Sequence, residues 1–335
     1  MILKTFEIHL KNNENNKLNA MNLLITGGCG FIGSNFINYI LKRKNLNEVR
    51  KLVNIDALYY CASKDNVNEN AQRDLRYYFV KGNLCSDDLV SHVLEQHCIT
   101  HVIHFAAQSH VQNSFDDSMQ YTRDNIVGTH TLLECCRLYG KIEKFIHVST
   151  DEVYGESVDG DLKNEEQSLL VPTNPYAATK AGAEMLVRSY IASYNLPIVI
   201  TRGNNVYGPN QYPEKLIPLF IQQLKTGEKV TIQGDGTAIR SFLHVSDVCS
   251  AFELILQDGK IGEVYNIGTY EEYSVLQIAK ILIKLIKKTE DCNSWIKFIA
   301  DRPFNDSRYF ISNDKLKKLG WEIKVDFEEG IKALI

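Results

Sequence analysis

The chain has 335 residues, enough for one large domain or two closely joined ones at roughly 100–200 residues each. A formal charge of −4 with no basic stripe argues against nucleic acid as a partner, and no apolar run approaches the ~20 residues of a membrane-spanning helix. The eight cysteines (Cys29, Cys61, Cys85, Cys98, Cys135, Cys136, Cys249 and Cys292) include no Cys-x-x-Cys pair, so they read as free thiols in a reducing cytoplasm rather than metal ligands or a disulfide frame.

Residues 1–20 are rich in asparagine (Asn12, Asn13, Asn15, Asn16, Asn19) and lack the basic, apolar and small-residue order of a signal peptide. A mobile extension ahead of a second methionine, Met21, is expected there. Residues 22–26 form a short apolar run that breaks into glycines and resumes with helical spacing through Phe31, Ile32, Phe36 and Ile37, the pattern of strand, tight turn and helix. A second strand over 49–55 ends in Asp56. Further buried strands are expected at 101–105, 144–149 and 197–202, with helices at 87–97, 118–138 and 176–194. Such alternation predicts an α/β fold with a doubly wound parallel sheet covered on both faces. After about residue 203 the rhythm changes. Strand-like pieces at 229–233, 241–244 and 263–267 mix with helices and Pro- and Gly-containing loops, which predicts a smaller mixed α/β lobe. The expected division is an extension over 1–20, a dinucleotide domain with the catalytic residues over 21–203, and a mainly substrate-binding lobe over 204–335, interwoven with the first domain.

Gly27-Gly28-Cys29-Gly30-Phe31-Ile32-Gly33 fits Gly-x-x-Gly-x-x-Gly between a strand and a helix. Gly27, Gly30 and Gly33 permit the sharp turn and let a pyrophosphate reach backbone N–H groups at the helix start, where Phe31 and Ile32 lie. Asp56 follows about 20 residues later, at the end of the second strand. A carboxylate there hydrogen-bonds a ribose diol and repels a 2′-phosphate, so the expected cofactor is NAD rather than NADP. Ala106 and Ala107, after the fourth strand, are small enough to border a nicotinamide, although ordinary tight packing also accounts for them.

Ser149-Thr150-Asp151-Glu152-Val153-Tyr154-Gly155 is followed by Tyr176-Ala177-Ala178-Thr179-Lys180. Tyr-x-x-x-Lys on a helix stacks both side chains on one face, and an ammonium beside a phenol lowers the tyrosine pKa from about 10 toward the range of a general base. Asp151 and Glu152 add a second acid/base pair that a simple alcohol dehydrogenase would not need. Oxidation followed by elimination is the expected chemistry.

With these motifs on the page, the chain resembles the extended short-chain dehydrogenase/reductases, and more narrowly the nucleoside-diphosphate-glucose 4,6-dehydratases, from about Met21 onward. Further matching segments are Asn205-Val206-Tyr207-Gly208-Pro209, Pro213-Glu214-Lys215-Leu216-Ile217-Pro218, Gly234-Asp235-Gly236 with Ile239-Arg240, and Asp301-Arg302-Pro303 with Asp306 and Arg308-Tyr309. The resemblance implies a Rossmann-type domain, NAD, no metal and a nucleotide-sugar substrate. By it, Tyr176 takes the sugar 4-OH proton, held by Lys180, with Thr150 hydrogen-bonded to the reacting oxygen. Glu152 takes the C5 proton, Asp151 protonates the departing 6-OH, and the hydride removed from C4 returns to C6. Arg240 and Arg302 are the candidates for gripping the two phosphates. Asn205, Lys215 and Leu216 follow by family analogy, then Arg308 and Tyr309. The helices at 118–138 and 176–194 carry apolar residues on more than one face and in this family form a dimeric four-helix bundle, so a homodimer is expected.

Related epimerases usually have small or uncharged residues at the positions of Asp151 and Glu152, and related decarboxylases often keep only the glutamate. Asp151 therefore discriminates most strongly, leaving a 4-epimerase, a decarboxylase or a catalytically silent NAD-binding regulator as alternatives. Asn204-Asn205-Val206 and Asn305 resemble the eukaryotic branch, which includes the UDP-glucose enzymes of plant-type rhamnose synthesis. The choice between UDP and dTDP stays open.

Overall fold

A computed structural model describes residues 20–43, 49–157, 163–300 and 306–335. The extension up to residue 19, Arg302 and Asn305 lie outside the described residues. Strands β1 (Met21–Thr26), β2 (Val49–Asp56), β3 (Tyr77–Lys81), β4 (His101–His104), β5 (Lys144–Thr150) and β6 (Ile198–Gly203) alternate with helices, among them α1 (Phe31–Lys42), α2 (Asp87–Gln96), α3 (residues 118–139) and α4 (Pro175–Tyr194). The later chain adds β7 (Asn205–Tyr207), α5 (Leu216–Thr226), β8 (Val230–Gln233), β9 (Ile239–Arg240), β10 (Phe242–His244), α6 (Val245–Asp258), β11 (Val264–Ile267), β12 (Tyr273–Ser274), α7 (Val275–Lys287) and β13 (Ile296–Ile299).

The central sheet has seven strands in the order β3-β2-β1-β4-β5-β6-β11, and every neighbouring pair is parallel. This is the doubly wound Rossmann-type arrangement. Its strand order reverses between β1 and β4, where ligands bind beyond the carboxyl ends of the strands. β1 is buried along its whole length, as a strand covered on both faces must be. Helices α1 and α6 cover one face, joining Phe36, Ile37 and Ile40 to Phe252 and Ile255. Helices α2, α3 and α4 cover the other through Val93, Leu94, Leu132, Leu133 and Val187. A third cluster, including Phe220, Leu224, Ile232 and Leu282, forms the core of the lobe around α5, α7, β8 and β13. The chain thus leaves the sheet after β6, starts the lobe, and returns with α6 and β11 to complete the first unit.

Local chemistry explains the elements that shape the site. Gly27 ends β1 in the left-handed region (φ +70°), and a Cβ there would lie 2.7 Å from the backbone N and Cα of Ala106. A Cβ on Gly33 would clash with the Gly27 carbonyl oxygen and lie 2.8 Å from Gly28 Cα, so α1 can seat against the turn only without a side chain. Gly33→Ala is expected to push α1 off the turn at a cost of ~1–3 kcal/mol. A thermal unfolding midpoint equal to the parent's would contradict this packing.

Helix α4 starts where it does because Asn174 caps it, with Oδ1 accepting from Ala177 N at 2.8 Å, and Pro175 occupies its first turn. Tyr176 therefore stands at the very head of the helix. Helix α3 is interrupted by a π-turn over Thr122–Val127, which carries the buried Asn125 inward. The Asn125 Oδ1 accepts from Gln108 N at 2.7 Å, and its Nδ2 donates to Thr179 Oγ1 at 2.9 Å, tying α3 to α4 beside the site.

Candidate active site

One cleft of ≈ 730 Å³ runs from the carboxyl ends of β1, β2, β4 and β5 to the lobe strands β8, β9 and β10. Its sheet end holds the glycine turn. No side chain among the described residues caps α1, so the amides of its first turn face the cleft. A Cβ on Gly30 would meet only the Gly27 carbonyl oxygen, at 3.3 Å, which leaves a cradle open on the cleft side. Asp56 is buried, and its carboxylate accepts from Cys29 N at 2.9 Å and Leu58 N at 2.7 Å. Burial raises its pKa, while these two N–H groups favour the charged form. Phe31, Ile32, Ala106 and Ala107 also line this end. An open amide cradle with a held carboxylate beside it fits a dinucleotide pyrophosphate and a ribose diol.

The middle of the cleft holds the acid/base residues. Thr150 ends β5; its hydroxyl donates to Asp151 Oδ1 at 3.1 Å and accepts from Glu152 N at 3.3 Å, turning the chain into the short helix Asp151–Tyr154. Asp151 is only 3 % exposed and accepts from Asn204 Nδ2 at 2.7 Å. Burial and the neighbouring Glu152 carboxylate raise it to about 7. Glu152 is raised by burial too, but the Asn174 amide (3.0 Å) and the cations Arg240 and Lys215 favour its carboxylate form. Both carboxyl groups are thus raised, Asp151 to about 7, while an amide and two cations oppose the shift at Glu152; unequal surroundings of this kind suit an acid and a base.

Tyr176 and Lys180 share the cleft wall as their spacing predicts, but the expected electrostatics are reversed. Burial, followed by the Glu152 carboxylate, holds the Tyr176 phenol above its ordinary value, with Thr150 the opposing influence. Lys180 Nζ donates to the Val148 carbonyl at 2.7 Å, and burial lowers its pKa to about 8. Helical spacing carries no information about burial or about a carboxylate arriving from another element.

Asn205, Lys215, Leu216, Arg240 and Tyr309 all line the cleft. Lys215 Nζ donates to the Ser109 carbonyl at 3.2 Å. Arg240 donates to the carbonyls of Ile239 (2.8 Å) and Asp306 (2.8 Å), with its guanidinium 5.0 Å from the Tyr309 ring centre. The Tyr309 hydroxyl donates to the Asp306 carboxylate, which also accepts from Thr173 Oγ1 at 2.8 Å. Arg308 is different. It is not among the lining residues, and its guanidinium makes two bonds to Glu272, at 2.7 and 2.5 Å. Neighbours in sequence at the end of the chain face opposite ways, so Tyr309 reaches the cleft and Arg308 does not.

Residues beyond the sequence-derived set are Asn174, Asn204 and Asp306. Asn174-Pro175 is a recognisable helix start, so its position just ahead of the tyrosine was a usable signal. Asn204 reaches Asp151 across 53 residues, and Asp306 adjoins Tyr309 in sequence but reaches Thr173 across 133; both lie in segments that resemble the family, yet nothing local gives them a place in the site. Among the described residues, no group of His, Cys, Asp and Glu side chains could hold a metal ion, and no helix is long and apolar enough to cross a membrane.

A family model described as GDP-mannose 4,6 dehydratase matches residues 24–334. The chain belongs to this family. A trifunctional UDP-glucose 4,6-dehydratase/UDP-4-keto-6-deoxy-D-glucose 3,5-epimerase/UDP-4-keto-L-rhamnose-reductase of Arabidopsis thaliana is 51 % identical over 93 % of the chain. The chain spans only 46 % of that relative's length. A dTDP-D-glucose 4,6-dehydratase of Dictyostelium discoideum is 43 % identical, with 96 % of the chain and 82 % of the relative covered. Among solved structures, the dTDP-glucose 4,6-dehydratase of Streptomyces venezuelae with NAD bound superposes with a TM-score of 0.86 at 36 % identity, covering 93 % of this chain and 95 % of that one.

Proposed function

We propose that the chain is an NAD-dependent nucleotide-sugar 4,6-dehydratase that converts UDP-glucose or dTDP-glucose to the 4-keto-6-deoxy sugar nucleotide and water. The carrying observation is the buried Asp151, raised to about 7, beside Glu152 and within the same cleft as Tyr176 and Lys180. An epimerase would give Asp151 no task. The amides around Gly27, Gly30, Phe31, Ile32 and Gly33 would hold the NAD pyrophosphate, Asp56 its adenine ribose, and Ala106, Ala107 and Lys180 its nicotinamide end. Bound there, NAD would supply the hydride chemistry of the reaction, as acceptor for the sugar C4 hydride and later as donor to C6.

The residues of this chain move the protons. Tyr176 accepts the proton of the 4-OH, and Thr150 hydrogen-bonds the same oxygen. The resulting 4-ketone acidifies the C5 proton, which Glu152 removes. Asp151 donates a proton to the 6-OH as it leaves as water, and a proton is then restored at C5. Lys180, one turn along the same helix face, would by family analogy support the phenolate as it forms, and Asn174 and Asn204 hold the two carboxyl groups in place. Arg240 and Lys215 would bind the phosphates, with Asn205, Leu216 and Tyr309 completing the substrate side. Arg302 is retained as a phosphate ligand by family analogy.

The higher identity to the plant relative favours UDP over dTDP as carrier, and a 4-keto-6-deoxy product suits rhamnose or other deoxysugar biosynthesis. Parallel turnover of UDP-glucose and dTDP-glucose, read by mass spectrometry for loss of one water, tests both points. Water loss with the larger kcat/KM for UDP-glucose is expected. An unchanged mass with both sugars would reject the dehydratase reading.

The same proposal extends to assembly and location. Met119 and Leu138 on α3 are 71 % and 69 % exposed, and Met185 on α4 is half exposed, so the packed helices offer an apolar face for a second copy. Light scattering at micromolar protein is expected to give twice the chain mass, and a monomer alone would reject the homodimer. Eight free thiols suit a reducing compartment such as the cytoplasm.

A further inference from the structure

Behind the site lies an ion pair between Arg202 on β6 and Glu184 on α4, both side chains 0 % exposed. The Glu184 carboxylate accepts from Arg202 Nε at 3.0 Å and from Nη2 at 2.7 Å. Arg202 Nη1 donates to the Tyr154 hydroxyl oxygen at 2.8 Å and to the Glu166 carbonyl at 3.1 Å, and the guanidinium lies 4.7 Å from the Tyr154 ring centre. Tyr154 in turn donates to Asn266 Oδ1 at 2.8 Å.

The placement of these partners gives the pair its meaning. Tyr176, Lys180 and Glu184 follow one another at four-residue intervals along one face of α4. Tyr154 closes the short helix that begins with Asp151 and Glu152. Arg202 therefore joins the helix that carries the phenol and ammonium to the turn that carries the two carboxyl groups. It does so from a third element, through a rigid planar fork whose donors point in set directions. A buried ion pair adds little net stability over apolar residues of the same volume, so stability does not account for it.

The proposed reaction needs such a joint. One bound sugar must meet Tyr176 at its 4-OH and then Glu152 and Asp151 at C5 and C6 without leaving. A misplacement of 1 Å in a site of this kind costs on the order of 10²-fold in rate. We propose that Arg202, held by Glu184 and Tyr154, is a positioning residue that keeps the elimination pair Asp151–Glu152 in register with the oxidation pair Tyr176–Lys180. This rests on the dehydratase reading. Asn174 and Asn204 hold the carboxyl groups from the cleft side, and Arg202 holds their turn from behind.

Arg202→Met would strand Glu184 as a buried, unpaired charge, and unfolding would mask any effect on register. Tyr154→Phe removes only the hydroxyl between the fork and the turn. The readout is a ratio in deuterated water: label entering C5 of recovered substrate, divided by water lost. Loss of folded protein lowers both numbers equally and leaves the ratio alone. A displaced turn loses the demanding proton delivery from Asp151 before the easier C5 exchange, so the ratio rises. We expect a rise of roughly tenfold with KM unchanged, a tenth of the effect of a full 1 Å displacement. Arg202→Lys keeps the charge beside Glu184 but not the fork, and it gives the same readout if Tyr154→Phe does not fold. A parental ratio in the folded variant would overturn the proposal. Absence of water loss in the parent would instead overturn the dehydratase reading on which it rests.

Discussion

Tyr176→Phe is expected to lower kcat by ~10²–10⁴-fold, the range of a lost general base, and to abolish C5 exchange together with water loss. Both disappear because both require the ketone at C4, which forms only after the 4-OH proton has gone. The phenol is buried at the head of α4, and the hydroxyl is the only group that phenylalanine removes. Since burial and Glu152 hold the phenol above its ordinary pKa, little phenolate is present near neutrality in the protein alone. The parent's rate should therefore climb with pH from 6 and turn over near 7, where Asp151 loses the proton it must give the leaving 6-OH, and loss of the Lys180 ammonium near its value of about 8 should steepen the fall. Turnover in deuterated water, followed by mass spectrometry, checks the prediction. Appreciable C5 label in the Tyr176→Phe reaction would place the first proton transfer elsewhere.

Asp151→Asn should break the reaction at a different point. Oxidation and Glu152-dependent exchange at C5 continue, while water loss falls by ~10²-fold or more because the leaving 6-OH has no proton donor. Recovered substrate then carries deuterium at C5 with little product formed. Water loss at the parental rate would remove Asp151 from the mechanism. The same substitution has a predictable effect on stability. Asp151 titrates near 3.9 in an unfolded chain and at about 7 here, so the folded protein carries a cost as pH rises through that window. Stability is intact below the unfolded value and lost as pH passes the folded one. An amide at this position has no proton to lose and avoids the cost. The Asp151→Asn variant should therefore unfold at a higher temperature than the parent at pH 8 and at the same temperature at pH 4. The gain at pH 8 is at most on the order of 4 kcal/mol. An enzyme that becomes sturdier as it loses turnover is the signature of a site built at the expense of stability.

How much of this could be read from residues alone depends on the range of each interaction. The glycine turn, the Tyr176–Lys180 spacing and the carboxyl pair are local patterns, and the alternation of buried strands with helices carried the sheet. β3 was not among the expected strands although Tyr77-Tyr78-Phe79-Val80 is a β-favouring run; the strand is short, partly exposed and lies at the sheet edge. The return of α6 and β11 to the sheet is a matter of topology that no local pattern announces. Within the site, Asn204 reaches Asp151 across 53 residues and Arg202 reaches Tyr154 across 48, so neither contact leaves a sequence trace. The Tyr176 electrostatics were misjudged for the same reason. Spacing on a helix supplies the lysine, while burial and the Glu152 carboxylate come from tertiary packing.

The hold of the glycine turn on Asp56 has a consequence for how cofactor preference can change. One oxygen of that carboxylate binds the backbone N–H of Cys29 inside the turn, and the other binds Leu58 N in the next loop. The group that would exclude a 2′-phosphate is therefore also a strut between two loops. Exchanging it for a small neutral residue would admit the phosphate and loosen the cradle in one stroke, leaving a protein poor at holding either dinucleotide. A lineage moving toward NADP would first have to secure the Cys29 and Leu58 amides by other means. Selectivity guarded in this way is hard to lose by a single substitution.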